Sequence, residues 1–226
     1  GKPEKDDKKG KSDKADKADK ADRPRTFDTC EPDLQLLDFS KATLLAKSLS
    51  GTFGGMLRFG SVAVVDGVEI DLIVKGIGTY EAFNATRNGL YGDFGVLNLL
   101  QTKKGHLMFE FVDAKTDQAT EIGPFYFSFF DLDSGDVGQK LGGESVTVDS
   151  YEAYQLREGA NIHVGHTWGF TNFIAEPMSP VKHPTFLDKL TEEQLLSSVT
   201  IIYPKTSAFT ITLDAPLGSG GRNFFF

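Results

Sequence analysis

The sequence predicts an all-β fold: an antiparallel β-sandwich, jelly-roll-like, with one short connector helix and a disordered N-terminal tail. Three observations predict it. The aromatic content is dominated by 19 Phe and accompanied by 24 Gly, the profile of aromatic strands punctuated by glycine turns. Apolar residues recur at every second position in Leu107-Met108-Phe109-Glu110-Phe111 and in Phe125-Tyr126-Phe127-Ser128-Phe129, so each segment carries one solid apolar face. Further short apolar runs follow at the spacing of a sandwich, separated by turn residues.

The chain begins with a different kind of sequence. Residues 1–25 hold ten Lys/Arg and seven Asp/Glu, and only Pro3 and Pro24 there are neither charged nor small. Such a segment has nothing to bury and is expected to be disordered. Its three Lys-Ala-Asp repeats, from Lys14 to Asp22, drift around a helix of 3.6 residues per turn and make no stable face. We read it as a solvated spacer, with a single folded domain over residues 26–226. Of the 24 basic and 32 acidic residues of the chain, 14 and 25 remain in that domain, a net charge of −11. A body so acidic repels phosphate backbones, which argues against nucleic-acid binding. No run approaches about 18 apolar residues, so no transmembrane helix is predicted. Gly1 in place of an initiator Met is consistent with a removed signal peptide. Cys30 is the single cysteine; it provides no internal disulfide framework and reads as a free thiol or a bridge to another chain.

Taken in order, residues 34–39 read as a first strand, and residues 40–49 as either a short helix or an irregular crossing. Residues 61–74 predict a hairpin around Asp66-Gly67, a two-residue turn whose glycine accepts positive φ. After the strands at 107–111 and 125–129, further strands are expected at 144–148, 151–156, 167–173, 199–203, 209–213 and 223–226. Thr191-Glu192-Glu193-Gln194 has the pattern of a capping box, with room for about two helical turns before the strand at Val199. The terminal Phe224-Phe225-Phe226 is either buried beside the first strand, the reading we prefer, or an exposed apolar edge through which copies of the chain form a homo-oligomer.

The segments Phe127-Ser128-Phe129-Phe130-Asp131-Leu132-Asp133, Leu195-Leu196-Ser197-Ser198-Val199-Thr200-Ile201, Thr206-Ser207-Ala208-Phe209-Thr210 and Gly220-Gly221-Arg222-Asn223-Phe224, with Arg87-Asn88-Gly89-Leu90 and Phe94-Gly95, resemble a family of uncharacterised secreted or surface-associated β-domain proteins of marine microalgae and some bacteria. The resemblance runs from about residue 34 to the end and leaves out the tail. It implies a single extracellular-type β domain and supplies no catalytic residues. The family's ending Arg-Asn-Phe-Leu-Phe is departed from here, with Phe225 in place of Leu and the chain stopping at Phe226, which implies a shortened last strand.

The strongest chemical constellation is Asp131-Leu132-Asp133-Ser134-Gly135-Asp136, followed by Glu144. If the Phe alternation continues, Asp131 and Asp133 point to the core side at the rim of the sandwich, where two carboxylates repel unless neutralised. Ca²⁺ suits this, because it takes six to eight oxygens from a flexible acidic loop. Asp131, Asp133, Asp136 and Glu144 are therefore the candidate Ca²⁺ ligands. The loop is not an EF-hand, which needs Gly at position six and Glu at twelve, where this loop has Asp136 and Gly142. The competing reading is an acidic turn whose side chains cap backbone amides.

His163 and His166 lie three apart and so face opposite sides of a strand, which suits surface histidines beside a glycine turn better than a transition-metal site. His106 and His183 stand alone. Asn84-Ala85-Thr86 meets the N-glycosylation sequon in a loop-like stretch. Tyr151, Tyr154 and Trp168, with Phe170 and Phe173, are candidates for stacking sugar rings. The reading we prefer makes them core, with Trp168 and Phe170 on one strand face. The motifs of a nucleophile elbow, a phosphate-binding loop and a zinc helix are all missing, and nothing in the spacing of Glu110 and Glu152 selects them as a glycosidase pair. These features predict a non-enzymatic extracellular or cell-surface structural or interaction domain, Ca²⁺-stabilised, whose partners are surface or matrix proteins or glycans. A carbohydrate-binding module is the alternative, and a glycan-active hydrolase the third.

Overall fold

The computed structural model describes residues 34–49, 55–134, 143–177 and 180–226. The charged segment 1–25, Cys30 and Asp136 lie outside the described residues. Fourteen strands run through them: β1 (Thr43–Lys47), β2 (Met56–Val65), β3 (Val68–Gly76), β4 (Gly89–Tyr91), β5 (Phe94–Leu100), β6 (Lys104–Asp113), β7 (Phe125–Phe129), β8 (Ser145–Val148), β9 (Ala153–Gln155), β10 (Ile162–Thr167), β11 (Phe170–Ala175), β12 (Val199–Tyr203), β13 (Ala208–Asp214) and β14 (Gly221–Phe225), with helix α1 at Glu192–Leu196. Among these residues no helix is long and apolar enough to cross a membrane.

One layer is an eight-stranded sheet in the order β1-β2-β3-β6-β13-β8-β11-β10. The other is built from two three-stranded sheets, β9-β12-β7 and β14-β5-β4, which are joined where Phe130 bridges Phe225. Every strand pair is antiparallel. The pairs β6·β13, β7·β12 and β8·β11 are nested in sequence, as when a long two-stranded ribbon is rolled up, and this nesting is the winding of a jelly roll. From β6 onward the chain crosses repeatedly from one layer to the other.

The two-residue rhythm does what it predicts. Leu107, Phe109 and Phe111 on β6 and Phe125, Phe127 and Phe129 on β7 are all buried, and their faces meet, with Phe109 5.3 Å from Phe127 and Phe111 5.1 Å from Phe125, both edge to face. The β2–β3 hairpin turns at Asp66 (φ +50) and Gly67 (φ +80), the doubly positive geometry that matches strand twist. The capping box is also present: Thr191 Oγ1 accepts from Gln194 N at 3.3 Å while Gln194 Oε1 accepts from Thr191 N at 2.8 Å.

Three expectations change. Residues 34–39 form no strand; only Gln35 bridges, to Phe125, because Asp38 accepts from Ser40 N at 3.0 Å and closes a turn there. The strand lies beyond that turn, as β1, where a helix or irregular crossing was expected. The stretch 167–173 is two strands, since Trp168 (φ +50) and Gly169 (φ +86) make the turn between β10 and β11. Finally, the terminal Phe residues are buried, but β14 pairs with β5 and not with the first strand.

Phe226 is the hub of the aromatic core. Its ring lies 5.2 Å from Phe39, 5.7 Å from Phe59 and from Phe109, and 5.4 Å from Phe127, contacts that each add to plain area burial. Gly95 lies directly against this ring, where any Cβ would overlap it. Phe226→Ala is therefore expected to cost about 3–5 kcal/mol, read by urea denaturation. A loss below about 1 kcal/mol, the size of a surface change, would contradict this packing.

Candidate functional site

The Phe strand β7 ends in carboxylates, and the backbone turns to take them inside. Phe130 N donates to Phe225 O at 3.0 Å, and Asp131 then adopts φ +63, a costly conformation for a residue with a Cβ. The alternation breaks there, so Asp131, Leu132 and Asp133 are all buried, the two carboxylates at 3% and 5% exposure. Leu132 N donates to Ser197 O at 3.0 Å, which locks the turn to the end of α1. Glu144, 2% exposed, returns beside them: its N–H donates to Asp133 O at 3.0 Å, and its Oε2 accepts from Asp133 N at 3.3 Å.

Two cations from distant parts of the chain meet this cluster. Arg222 on β14 donates from Nη1 to Asp133 Oδ1 at 3.2 Å and from Nη2 to Ser134 O at 3.4 Å, and its Nε lies 3.7 Å from Glu144 Oε1. His183 Nδ1 is 2.5 Å from Asp131 Oδ2. Val181 N donates to the other Asp133 oxygen at 3.0 Å. Asp131 Oδ1 is buried without a hydrogen-bond partner. The structure thus brings Asp131, Asp133 and Glu144 together, and Asp136 lies outside the described residues. Sequence reasoning missed Arg222 and His183, which stand 89 and 52 residues from their partners. The available signal was the rule that a buried carboxylate demands a cation. Among the described residues, no group of three His, Cys, Asp or Glu side chains is arranged to hold a metal ion.

Burial pushes the Glu144 carboxyl well above the usual range, and the Asp133 charge adds to this while Arg222 opposes it. Burial likewise raises Asp131 against the hydrogen bond from His183, and that same bond raises His183. All three groups therefore hold protons more tightly folded than unfolded, so stability falls as pH rises. For the carboxyls the loss begins above their unfolded values near pH 4; for His183 it begins above about 6.5 and is complete beyond its raised folded value. The melting temperature is expected to decline from about pH 5 to about pH 9, with Glu144→Gln flattening the slope and melting higher than the parent on the alkaline side. An unchanged slope in Glu144→Gln removes this assignment.

His183 also forms one wall of an open cavity of about 420 Å³ shared with Arg87, Tyr91, Asn223 and Phe225. A buried polar network fixes its walls. Tyr80 Oη lies 2.9 Å from Asn88 Oδ1 and 2.8 Å from Asn98 O, Asn98 N donates to Asn88 Oδ1 at 2.7 Å, and Asn98 Nδ2 donates to Asn223 Oδ1 at 2.7 Å. The short turn Ala85–Arg87 is held to the same network by Asn84 N, which donates to Asn98 Oδ1 at 2.7 Å. The sequon residue Asn84 is exposed, and its Oδ1 accepts from Thr86 Oγ1 at 2.7 Å. A second cavity, about 450 Å³, is mostly apolar and lies between Leu36, Phe94, Tyr126 and Leu187; two of the three aspartates on its rim are engaged, Asp38 by Lys41 and Asp93 by Leu187 N.

The aromatic candidates separate. Tyr154 is core, its ring 5.1 Å from Phe173. Tyr151 is half-buried, with its hydroxyl 2.7 Å from Thr171 Oγ1. Trp168 is 95% exposed at the tip of the β10–β11 hairpin, with Phe170 at 50%, so the core reading of Trp168 fails because the residue sits in the turn. His163 and His166 are exposed on β10, with the glycine turn two residues further on. Glu110 is held by Lys75 Nζ at 2.6 Å.

No protein-family model matches the chain, and no curated protein does. Among solved structures, the N-terminal domain of the Streptococcus gordonii adhesin Sgo0707 is similar at a TM-score of 0.51 and 11% identity, over 85% of this chain and 60% of that one. The adhesin domain of PrgB from Enterococcus faecalis gives a TM-score of 0.39 and 13% identity, over 77% and 64%. The chain thus spans less than two thirds of either. At such identity the first likeness is one of fold.

Proposed function

We propose that this chain is a non-enzymatic interaction domain of an extracellular or cell-surface protein, and that it touches its partner through the β10–β11 hairpin. The single observation that carries this is Trp168. The one Trp of the chain stands almost wholly in water at φ +50. A glycine there would relieve the backbone, and an indole so exposed adds nothing to the core. That an adhesin domain shares the fold agrees with the reading. An exposed indole face suits stacking against a sugar ring, which makes glycans the favoured ligand class.

The test separates binding from folding. Trp168→Gly is expected to stabilise the fold by about 1 kcal/mol while lowering glycan binding on an array by about tenfold. In the parent, saturating ligand should shift the Trp168 fluorescence to shorter wavelength. A variant that binds as well as the parent sinks the proposal.

Ca²⁺ enters the same proposal at Asp131. Asp133 and Glu144 already face Arg222, and Asp131 Oδ1 is the oxygen left for an ion. Added CaCl₂ is expected to raise the melting temperature of the parent and not that of Asp131→Asn. Equal melting with calcium and with chelator rules the ion out.

A further inference from the structure

The cavity beside His183 differs in charge from the molecule around it. Arg87 lies on its lip, and Lys47 of β1 braces the same turn, its Nζ donating to Thr86 O at 2.6 Å. Among the described residues neither cation is paired with a carboxylate, and no carboxylate is in the cavity lining. The acids beneath already have their own cations: Asp133 and Glu144 share Arg222, and Asp131 faces His183. The positive charge at the lip is therefore uncompensated in a domain whose net charge is −11.

The remaining walls match this charge. Asp131 occupies His183 Nδ1, which leaves Nε2 as the nitrogen for a ligand. Asn223 Oδ1 is taken by Asn98, which leaves the Asn223 amide as a donor. Tyr91, 49% exposed, packs its ring edge-on to Phe225 at 5.8 Å and offers an aromatic wall. Donors and an aromatic plane, held beside the fixed Tyr80–Asn88–Asn98 network, make a preorganised cavity of the size that small ligands use.

We propose that this cavity binds an anionic pyranose, a sugar ring carrying a carboxylate or a sulfate ester, with the acid group on Arg87 and the ring against Tyr91. The bidentate guanidinium suits either planar or tetrahedral oxyanions. The site shares no residue with the Trp168 hairpin, so the two stand or fall separately.

The experiment is a titration of the isotope-labelled chain, followed by amide NMR, with glucuronate, glucose 6-sulfate, glucose and inorganic sulfate at low ionic strength. Saturable shifts confined to residues 86–91 and 222–225 are expected with one or both acidic sugars, weakening as salt is added. Which of the two binds better identifies the acid group. Arg87→Ala should lower that affinity by about tenfold or more, Arg87→Lys should retain part of it, and Trp168→Gly should leave it unchanged. Glucose binding as well as its acidic counterparts overturns the proposal, as does the lack of any saturable shift. Inorganic sulfate binding as tightly as the sugars reduces the cavity to a bare anion site and overturns the pyranose assignment.

Discussion

Arg222 and Asp133 meet at 3.2 Å from positions 89 residues apart, and this meeting lets a strand of phenylalanines run on into buried acid. Three carboxylates enter the interior behind β7. Without a cation they would either carry a desolvation cost of several kcal/mol each or take up protons. Arg222 sits on the strand that delivers Phe224, Phe225 and Phe226 to the core, so one short segment supplies both the charge that tolerates Asp133 and the rings that fill the aromatic centre. Phe130 N donating to Phe225 O stitches the two small sheets together at the same place. The second layer is continuous because of these contacts, and the cavity at Arg87 and His183 opens beside that seam.

The jelly-roll winding explains where the candidate sites lie. Nested pairing sends the chain from layer to layer, so residues distant in sequence become neighbours at the layer edges. β10 closes one end of the eight-stranded sheet, with no strand beyond it among the described residues, which leaves its hairpin with β11 free to project. β4, β5 and β14 form the opposite part of the second layer, where the Asn-rich network ties the Ala85–Arg87 turn to the sheet. Rigid strands thus hold side chains whose function depends on loops, the usual division of labour in such folds.

What was legible in the sequence was whatever local physics decides. Leu107, Phe109 and Phe111 alternate because one face of β6 is wet, Asp66-Gly67 turns because its φ angles are positive, and Thr191 with Gln194 closes a box within four residues. β5 was not legible, because Phe94, Val96, Leu97, Asn98 and Leu99 are buried on both faces and no period of two survives. His183 looked solitary because its partner is 52 residues away. Asp131 and Asp133 were placed on the core side by continuing the alternation; they do lie inside, though by a different route, since φ +63 at Asp131 breaks the rhythm and buries Leu132 as well.

Strain distinguishes the two regions further. Among the described residues, seven that are not glycine take positive φ: Ser61, Asp66, Thr102, Asp117, Asp131, Ser150 and Trp168. Six are Asp, Ser or Thr, types common in turns, and the three Asp belong to the kind that tolerates this region best. At Asp131 the cost is offset by what the turn achieves, namely Leu132 in the core and a carboxylate against His183. Trp168 has no such return inside the molecule. Its ring touches no other ring among the described residues and its surface lies in water, although Gly169 beside it shows that the turn itself needs nothing larger than hydrogen. A bulky, apolar, strained side chain at the tip of an edge hairpin is costly in the isolated domain, and a partner surface against the indole, as proposed, would recover that cost.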